Sequence, residues 1–299
     1  LALIRVNNIF KYYSGHCALK DLSLSIPSQS VFGLLGPNGA GKTSFIRILT
    51  QIIAPDKGQV FINGKLLAPE HIYQTGYLPE ERGLYKNMKV EEHLIYLARL
   101  KGMIGSDAKK KASLWLEKLS LLQWKDRKVE ELSKGMQQKV QFIASVIHDP
   151  LIIILDEPFT GFDPLNAEII KKEILKLKRN GATVILSTHR MESVEELCDE
   201  VLLLNKGEKV LEGKLSEIRE EFKSNVYLVE CSGPLQTTED YLLLNIKFEQ
   251  DRKIFRIKLK KELSNNELLK KIMMETEVIS FREELPGISD IFIKKIGVN

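Results

Sequence analysis

Gly36-Pro37-Asn38-Gly39-Ala40-Gly41-Lys42-Thr43 fits the phosphate-loop pattern G-x-x-x-x-G-K-[ST]. An apolar run, Val31-Phe32-Gly33-Leu34-Leu35, precedes it, and a helical pattern, Phe45-Ile46-Ile48-Leu49, follows. A polyphosphate carries too much charge for one lysine to hold. The loop must turn backbone N–H groups toward it, and glycines permit that close approach. The following helix adds the positive end of its dipole. Lys42 is then placed to reach the outer phosphates. The Thr43 hydroxyl is placed to ligate Mg²⁺, and Ser44 completes the turn into the helix.

The 299 residues suffice for one large α/β domain and a smaller one. With 44 basic and 40 acidic side chains the formal net charge is +4, which gives no electrostatic case for nucleic acid or an anionic membrane. The longest apolar runs, residues 151–155 and 201–204, are too short to cross a bilayer. The opening Leu-Ala-Leu-Ile-Arg-Val-Asn has no basic stretch followed by an apolar core, so no secretory signal is expected. Cys17, Cys198 and Cys231 lack metal or redox spacing and read as small buried hydrophobes in a reducing, cytoplasmic setting.

Residues 3 to 35 read as strands, with Leu22, Leu24 and Ile26 alternating with Ser23 and Ser25. Helices are expected at 90–101, 107–122, 134–148 and 164–179, and strands at 59–63, 151–155 and 183–187. The Lys109-Lys110-Lys111 run reads as a solvated helix side. Strands alternating with helices argue for a parallel α/β sheet. Past residue 224 the character changes. Residues 254–260 alternate as a half-buried strand does. Ser264-Asn265-Asn266-Glu267 fits a capping box that opens a helix. Ile291, Phe292, Ile293 and Ile296 suggest a closing strand. The expected second domain is small and α+β, with the boundary near residues 213 to 226.

Ile152-Ile153-Ile154-Leu155-Asp156-Glu157-Pro158 is a wholly apolar strand ending in two acids, the Walker B form. Asp156 at the strand end is suited to hold Mg²⁺, directly or through water. Glu157 is suited to orient the attacking water or take its proton. Leu132-Ser133-Lys134-Gly135-Met136-Gln137-Gln138-Lys139 opens a further apolar-periodic helix. Here the chain resembles the ATP-binding cassette (ABC) family, whose signature reads L-S-G-G-Q followed by x-Q-[RK]. Ser133, Gly135, Gln138 and Lys139 match; Lys134 replaces a glycine and Met136 the glutamine.

The resemblance spans roughly residues 3 to 222 and implies a P-loop NTPase fold. That fold has a parallel-sheet core, an antiparallel β subdomain and a helical subdomain at about 84–148, followed here by an α+β accessory domain at 223–299. It implies ATP and Mg²⁺ as cofactors, held by residues Gly36, Pro37, Asn38, Gly39, Ala40, Gly41, Lys42, Thr43 and Ser44. It implies that Ser133, Lys134, Gly135 and Met136 bind the γ-phosphate held by a second copy of the chain or by a homologous ATPase subunit. His189, in Ser187-Thr188-His189, is the family histidine that contacts that phosphate and the water. Asp163, in Thr160-Gly161-Phe162-Asp163, falls at the family's dimer interface. Tyr13 matches the aromatic that stacks on adenine, with Tyr12 as its competitor. In Gly76-Tyr77-Leu78-Pro79-Glu80, Glu80 stands where the family has a metal-facing glutamine, and it adds a carboxylate beside Asp156 and Glu157.

No long coiled coil separates Glu80 from Ser133, and there is one cassette, so the chain looks most like the separately encoded ATPase subunits of sodium-extruding and drug-exporting transporters. That implies hydrolysis of ATP, integral-membrane permease partners and a place on the inner face of the cell membrane. In the family the surface near residues 80–105, with Tyr85, Met88 and His93, docks that partner. The competing readings are a soluble ABC ATPase acting on nucleic acid or ribosomes, and a non-hydrolysing ATP sensor.

Overall fold

A computed structural model describes residues 2–81, 83–249, 252–260 and 263–297. They cluster into two compact units that meet in sequence between Leu215 and Ser216.

The first unit begins with β1 (Ala2–Tyr13) and β2 (His16–Pro27), which pair antiparallel. Next come β3 (Val31–Leu35), α1 (Lys42–Leu49), β4 (Lys57–Ile62), β5 (Lys65–Leu66) and β6 (Thr75–Leu78). Three helices follow, α2 (Val90–Leu100), α3 (Gly105–Lys118) and α4 (Lys134–Val146). The remainder is β7 (Ile152–Asp156), α5 (Pro164–Arg179), β8 (Thr183–Ser187), α6 (Met191–Leu197), β9 (Glu200–Asn205) and β10 (Glu208–Lys214). One sheet is antiparallel, in the order β2-β1-β4-β5. The other runs β10-β9-β3-β8-β7-β6, parallel except for β10 on β9. Its central strands β3, β7 and β8 are buried at every position, which is why they read as unbroken apolar runs.

The two sheets share one core with α1. Phe45, Ile46, Ile48 and Leu49 of that helix pack among Ile4, Ile9, Leu19 and Ile26 on one side and Phe32, Leu34, Ile154 and Leu202 on the other. Burying the Phe45 side chain alone stabilises the unit by about 2 kcal/mol. α2, α3 and α4 form the helical subdomain, sealed by Leu94, Trp115, Leu116 and Phe142. Lys109 and Lys110 are exposed, as a solvated face requires, whereas Lys111 is half-buried and paired with Asp149.

β6 lies against α4 with no room for a side chain. A Cβ added to Gly76 would stand 1.9 Å from the Ser145 carbonyl oxygen. Gly76→Ala is therefore expected to destabilise the fold by about 3 kcal/mol, read as a lower urea midpoint with an unchanged slope.

His93 of α2 is fully buried, and neither ring nitrogen has a hydrogen-bond partner among the described residues. Burial pushes its pKa down to about 4, so the ring is neutral near pH 7. Tyr85 packs edge-on against it at 5.8 Å and against Tyr96 at 5.5 Å, and both tyrosines are exposed. The aromatic surface here is thus Tyr85 and Tyr96, with His93 beneath it.

The second unit starts within α7 (Leu215–Glu221) and continues through β11 (Val226–Cys231), β12 (Tyr241–Glu249), β13 (Arg252–Leu259), α8 (Asn265–Glu275), β14 (Val278–Glu284) and α9 (Ile288–Ile296). The strands form an antiparallel sheet in the order β12-β13-β11-β14. Tyr227, Val229, Tyr241, Phe255 and Ile257 pack against Leu268 and Ile272 of α8. The capping box forms: Ser264 Oγ accepts from the Glu267 N–H at 3.3 Å, and Glu267 Oε2 accepts from the Ser264 N–H at 2.9 Å.

Residues 291–296, expected as a closing strand, are instead the end of helix α9. The buried positions are Ile288 and Ile291, three apart, while Ile293 is exposed; that is helical spacing. Gly297 ends the helix in the left-handed region at φ 66°. β14 closes the sheet. Cys198 and Cys231 are buried as expected, but Cys17 is only half-buried.

Candidate active site

β3 delivers the chain to the loop at residues 36–41, and α1 begins at Lys42. Gly41 is the N-cap of α1 at φ 106°. A Cβ there would lie 2.5 Å from the Ala18 carbonyl oxygen, so both backbone conformation and close approach demand glycine. No side chain caps this helix, which leaves its first N–H groups turned to an incoming anion. Lys42 Nζ donates to the carbonyl oxygens of Gly36 at 2.7 Å and Pro37 at 3.1 Å. Burial lowers the pKa of Lys42, while the charges of Glu157, Asp156 and Glu80 work against that shift.

A cavity of about 420 Å³ opens over the loop, lined by Tyr13, His16, Ala18, residues 38–44, Glu80, Asp156, Glu157, Ser187 and His189. Tyr13 therefore faces the cavity, and Tyr12 is not among its lining residues. Gly36 and Pro37 contribute through the carbonyls that hold Lys42. Asp156 ends β7, 5% exposed, and its pKa is raised by burial first and then by the charges of Glu80 and Glu157. Gln141 of α4 donates from Nε2 to the Pro79 oxygen at 3.0 Å and the Glu81 oxygen at 3.2 Å, gripping the chain on both sides of Glu80. Arg82, just beyond, lies outside the described residues.

β7 and β8 run parallel with Asp156 beside Ser187, so Glu157 meets the segment after β8. The Glu157 N–H donates to the Ser187 oxygen at 2.8 Å, and its backbone turns at φ 50°. Its Oε1 accepts from the His189 N–H at 2.9 Å and lies 2.8 Å from the ring Nδ1. Its Oε2 accepts from Thr188 Oγ1 at 3.2 Å. A carboxylate, a hydroxyl and an imidazole thus converge at the edge of the phosphate cavity, a constellation able to orient and deprotonate water.

Among the described residues no cluster of three or more His, Cys, Asp or Glu is arranged to hold a metal. Oxygen-bearing side chains around the cavity include the Thr43 hydroxyl and the carboxylates of Asp156 and Glu80. Few hard protein ligands beside a phosphate site suit Mg²⁺, which takes its other ligands from phosphate and water.

Ser133, Lys134, Gly135 and Met136 do not line this cavity. Ser133 is the N-cap of α4, and its Oγ accepts from the Met136 N–H at 3.3 Å. Its side of the helix is exposed. Asp163 caps α5, accepting from the Asn166 N–H at 2.8 Å; that bond and one from the Asn166 side chain hold its pKa below the usual range. The two caps are neighbours, since a Cβ on Gly135 would lie 3.7 Å from the Gly161 oxygen. His16, Ala18, Ser187 and Thr188 had no place among the sequence candidates. For Ser187 and Thr188 the available signal was their place between an apolar strand and His189.

A strand, a phosphate-binding loop and a helix, with two acids on the next parallel strand but one, define a P-loop nucleotide hydrolase. Residues 19–160 match the family described as ABC transporter, and residues 213–296 match that described as ATP-binding protein DrrA1-3-like, C-terminal domain. The uncharacterized ABC transporter ATP-binding protein YhaQ of Bacillus subtilis is 38% identical over 295 residues, covering 99% of both chains. The Nod factor export ATP-binding protein I of Cupriavidus metallidurans is 33% identical over 220 residues, 73% of each. The dimeric post-hydrolysis cassette MJ0796, bound to ADP and Pi, superposes with a TM-score of 0.66 at 25% identity, over 71% of this chain and 98% of that one. The chain belongs to the ABC transporter ATP-binding proteins, and it is the ATP-binding subunit of such a transporter, an ABC-type ATPase.

Proposed function

We propose that two copies of this chain close around two Mg·ATP and drive the membrane-spanning subunits of an exporter. The backbone N–H groups of residues 38–44, Lys42 and Thr43 hold the phosphates, Gly36 and Pro37 hold Lys42, and Tyr13 stacks on the adenine. Thr43, Asp156 and Glu80 hold Mg²⁺, which when bound neutralises charge on the phosphates. Glu157 takes the proton of the attacking water, and His189 contacts water and γ-phosphate. Residues 133–136 of the second copy complete each site, with Asp163 at the junction.

The observation that carries this reading is the separation of the two halves. The cavity gathers residues 38–44 with Glu80, Asp156, Glu157 and His189, yet Ser133 stands exposed outside it. An anion site that lies away from its anion calls for a partner. The dimeric MJ0796 cassette agrees with two copies, and the export function in the name of the Nod factor relative supports the direction. Among the described residues no helix is long and apolar enough to cross a membrane. In this reading the chain sits at the inner face of the membrane on its permease partner. The unit up to Leu215 acts as the cassette and the unit from Ser216 as an accessory domain, a boundary a few residues before the expected 222/223.

Purified protein is expected to release phosphate from ATP with Mg²⁺ and to lose about 100-fold or more of that rate in EDTA. Co-expressed with its membrane subunit it is expected to co-purify, and transported solutes should raise the rate. Absence of Mg²⁺-dependent phosphate release from both the free chain and the complex would overturn the proposal.

A further inference from the structure

Glu157 depends on its neighbours for its position. Its backbone sits at φ 50°, in the left-handed region that a non-glycine residue adopts at a cost. Its carboxylate is met by three groups from the segment after β8. They differ in how firmly they are held. The His189 side chain is 75% exposed and is free to swing toward a ligand. Thr188 is 1% exposed, and as a β-branched residue it has a stiff χ1.

The Thr188 hydroxyl also has its hydrogen-bonding direction set. It accepts from the Arg190 N–H at 3.1 Å while donating to Glu157 Oε2 at 3.2 Å. A hydroxyl carries one proton. With a lone pair turned to Arg190 at the start of α6, that proton is committed to the carboxylate. When His189 leaves Oε1 for a phosphate, the Thr188 bond and the His189 N–H remain. Oε2 stays fixed by Thr188, and Oε1, still accepting from the His189 N–H, turns the lone pair that the ring has left toward the cavity.

We propose that Thr188 is a positioning residue for hydrolysis: its buried hydroxyl holds Glu157 Oε2 so that Oε1 faces the attacking water. The inference rests on Glu157 acting on that water. A carboxylate misplaced by about 1 Å loses about 100-fold in rate, and Thr188 itself does not line the nucleotide cavity.

The test compares Thr188→Val, which keeps the shape and deletes the hydroxyl, with Thr188→Ser, which keeps the hydroxyl. Thr188→Ala serves if valine does not fold, as judged by melting temperature. Glu157→Gln and the double variant are run in parallel. Steady-state phosphate release gives kcat and KM, a fluorescent ATP analogue gives nucleotide affinity, and gel filtration with ATP gives the dimer fraction. Thr188→Val is expected to lower kcat about 10- to 100-fold with KM and analogue affinity unchanged, and to raise the ATP-bound dimer fraction. Thr188→Ser is expected to recover most of kcat. In the Glu157→Gln background Thr188→Val should cost nothing further, since the bond it breaks no longer serves a base.

If Glu157→Gln is inactive and Thr188→Val turns over as the wild type does, the Thr188 inference fails and the role of Glu157 stands. If Glu157→Gln retains wild-type turnover, the role of Glu157 fails first. Equal losses in valine and serine variants, or a loss tracked by weaker analogue binding, would assign Thr188 a structural role and overturn the inference.

Discussion

Glu157→Gln is expected to bind Mg·ATP as tightly as the wild type and to hydrolyse it about 10²- to 10⁴-fold more slowly. The substitution keeps the side chain's size and one acceptor oxygen, which still accepts from the His189 N–H, while the NH2 in the place of Oε2 no longer accepts from the Thr188 hydroxyl. It removes the one group at the cavity edge that is both basic and fixed by two hydrogen-bonded oxygens. Asp156 does not replace it, because it lies at the buried end of β7 in register with Ser187, where its placement suits a metal. Binding should survive because the phosphate contacts proposed above fall to residues 36–44, on a different strand and helix. The checks are steady-state phosphate release, an ATP-analogue titration, and gel filtration with ATP, where the variant should accumulate as a dimer. Wild-type turnover would remove Glu157 from the chemistry.

How far the site was legible in the sequence depends on what each residue is required to do. Gly41 is required by backbone geometry: φ 106° and a collision with the Ala18 oxygen exclude every other residue. Such constraints write themselves into a fixed motif. The same holds for Ile152–Asp156, whose burial on both faces forces an apolar run before the acid. Tyr13 is preferred over Tyr12 on resemblance and not on periodicity, because β1 breaks its pairing with β2 between Lys11 and Tyr12, and the period-two alternation that assigns faces is lost there. Ala18 contributes a backbone position and Thr188 a contact across two strands, and neither requirement has a local pattern. The misread end of the chain has a different cause. Ile291-Phe292-Ile293 is too short an apolar run to separate periods of two and 3.6, and the deciding clue was Gly297 in its left-handed cap.

The second large effect concerns two chains. Lys42→Ala removes charge-assisted bonds to the phosphates, and Ser133→Arg places a long cation on the exposed cap of α4, where the monomer has room for it. Each variant alone is expected to lose about 100-fold in turnover, since both sites of its homodimer carry the defect. Mixing them should restore activity. In a two-fold dimer the same surface serves both copies, so a mixed pair has one site with both defects and one with none. Random pairing makes half the dimers mixed, and each carries one of two sites intact, so about a quarter of wild-type turnover is expected if one site fires alone. A site that fires only with its twin would hide this result, so the mixture is also made in the Glu157→Gln background, where ATP stays bound. There the mixed dimer should retain one ATP per two chains through gel filtration, while each parent retains far less. The placement of the two residues makes this outcome specific: Lys42 lies in the cavity, Ser133 outside it on a separate helix, so only a second copy brings an intact example of each together. A mixture no better than its parents in both turnover and retained ATP would show that each chain completes its own site.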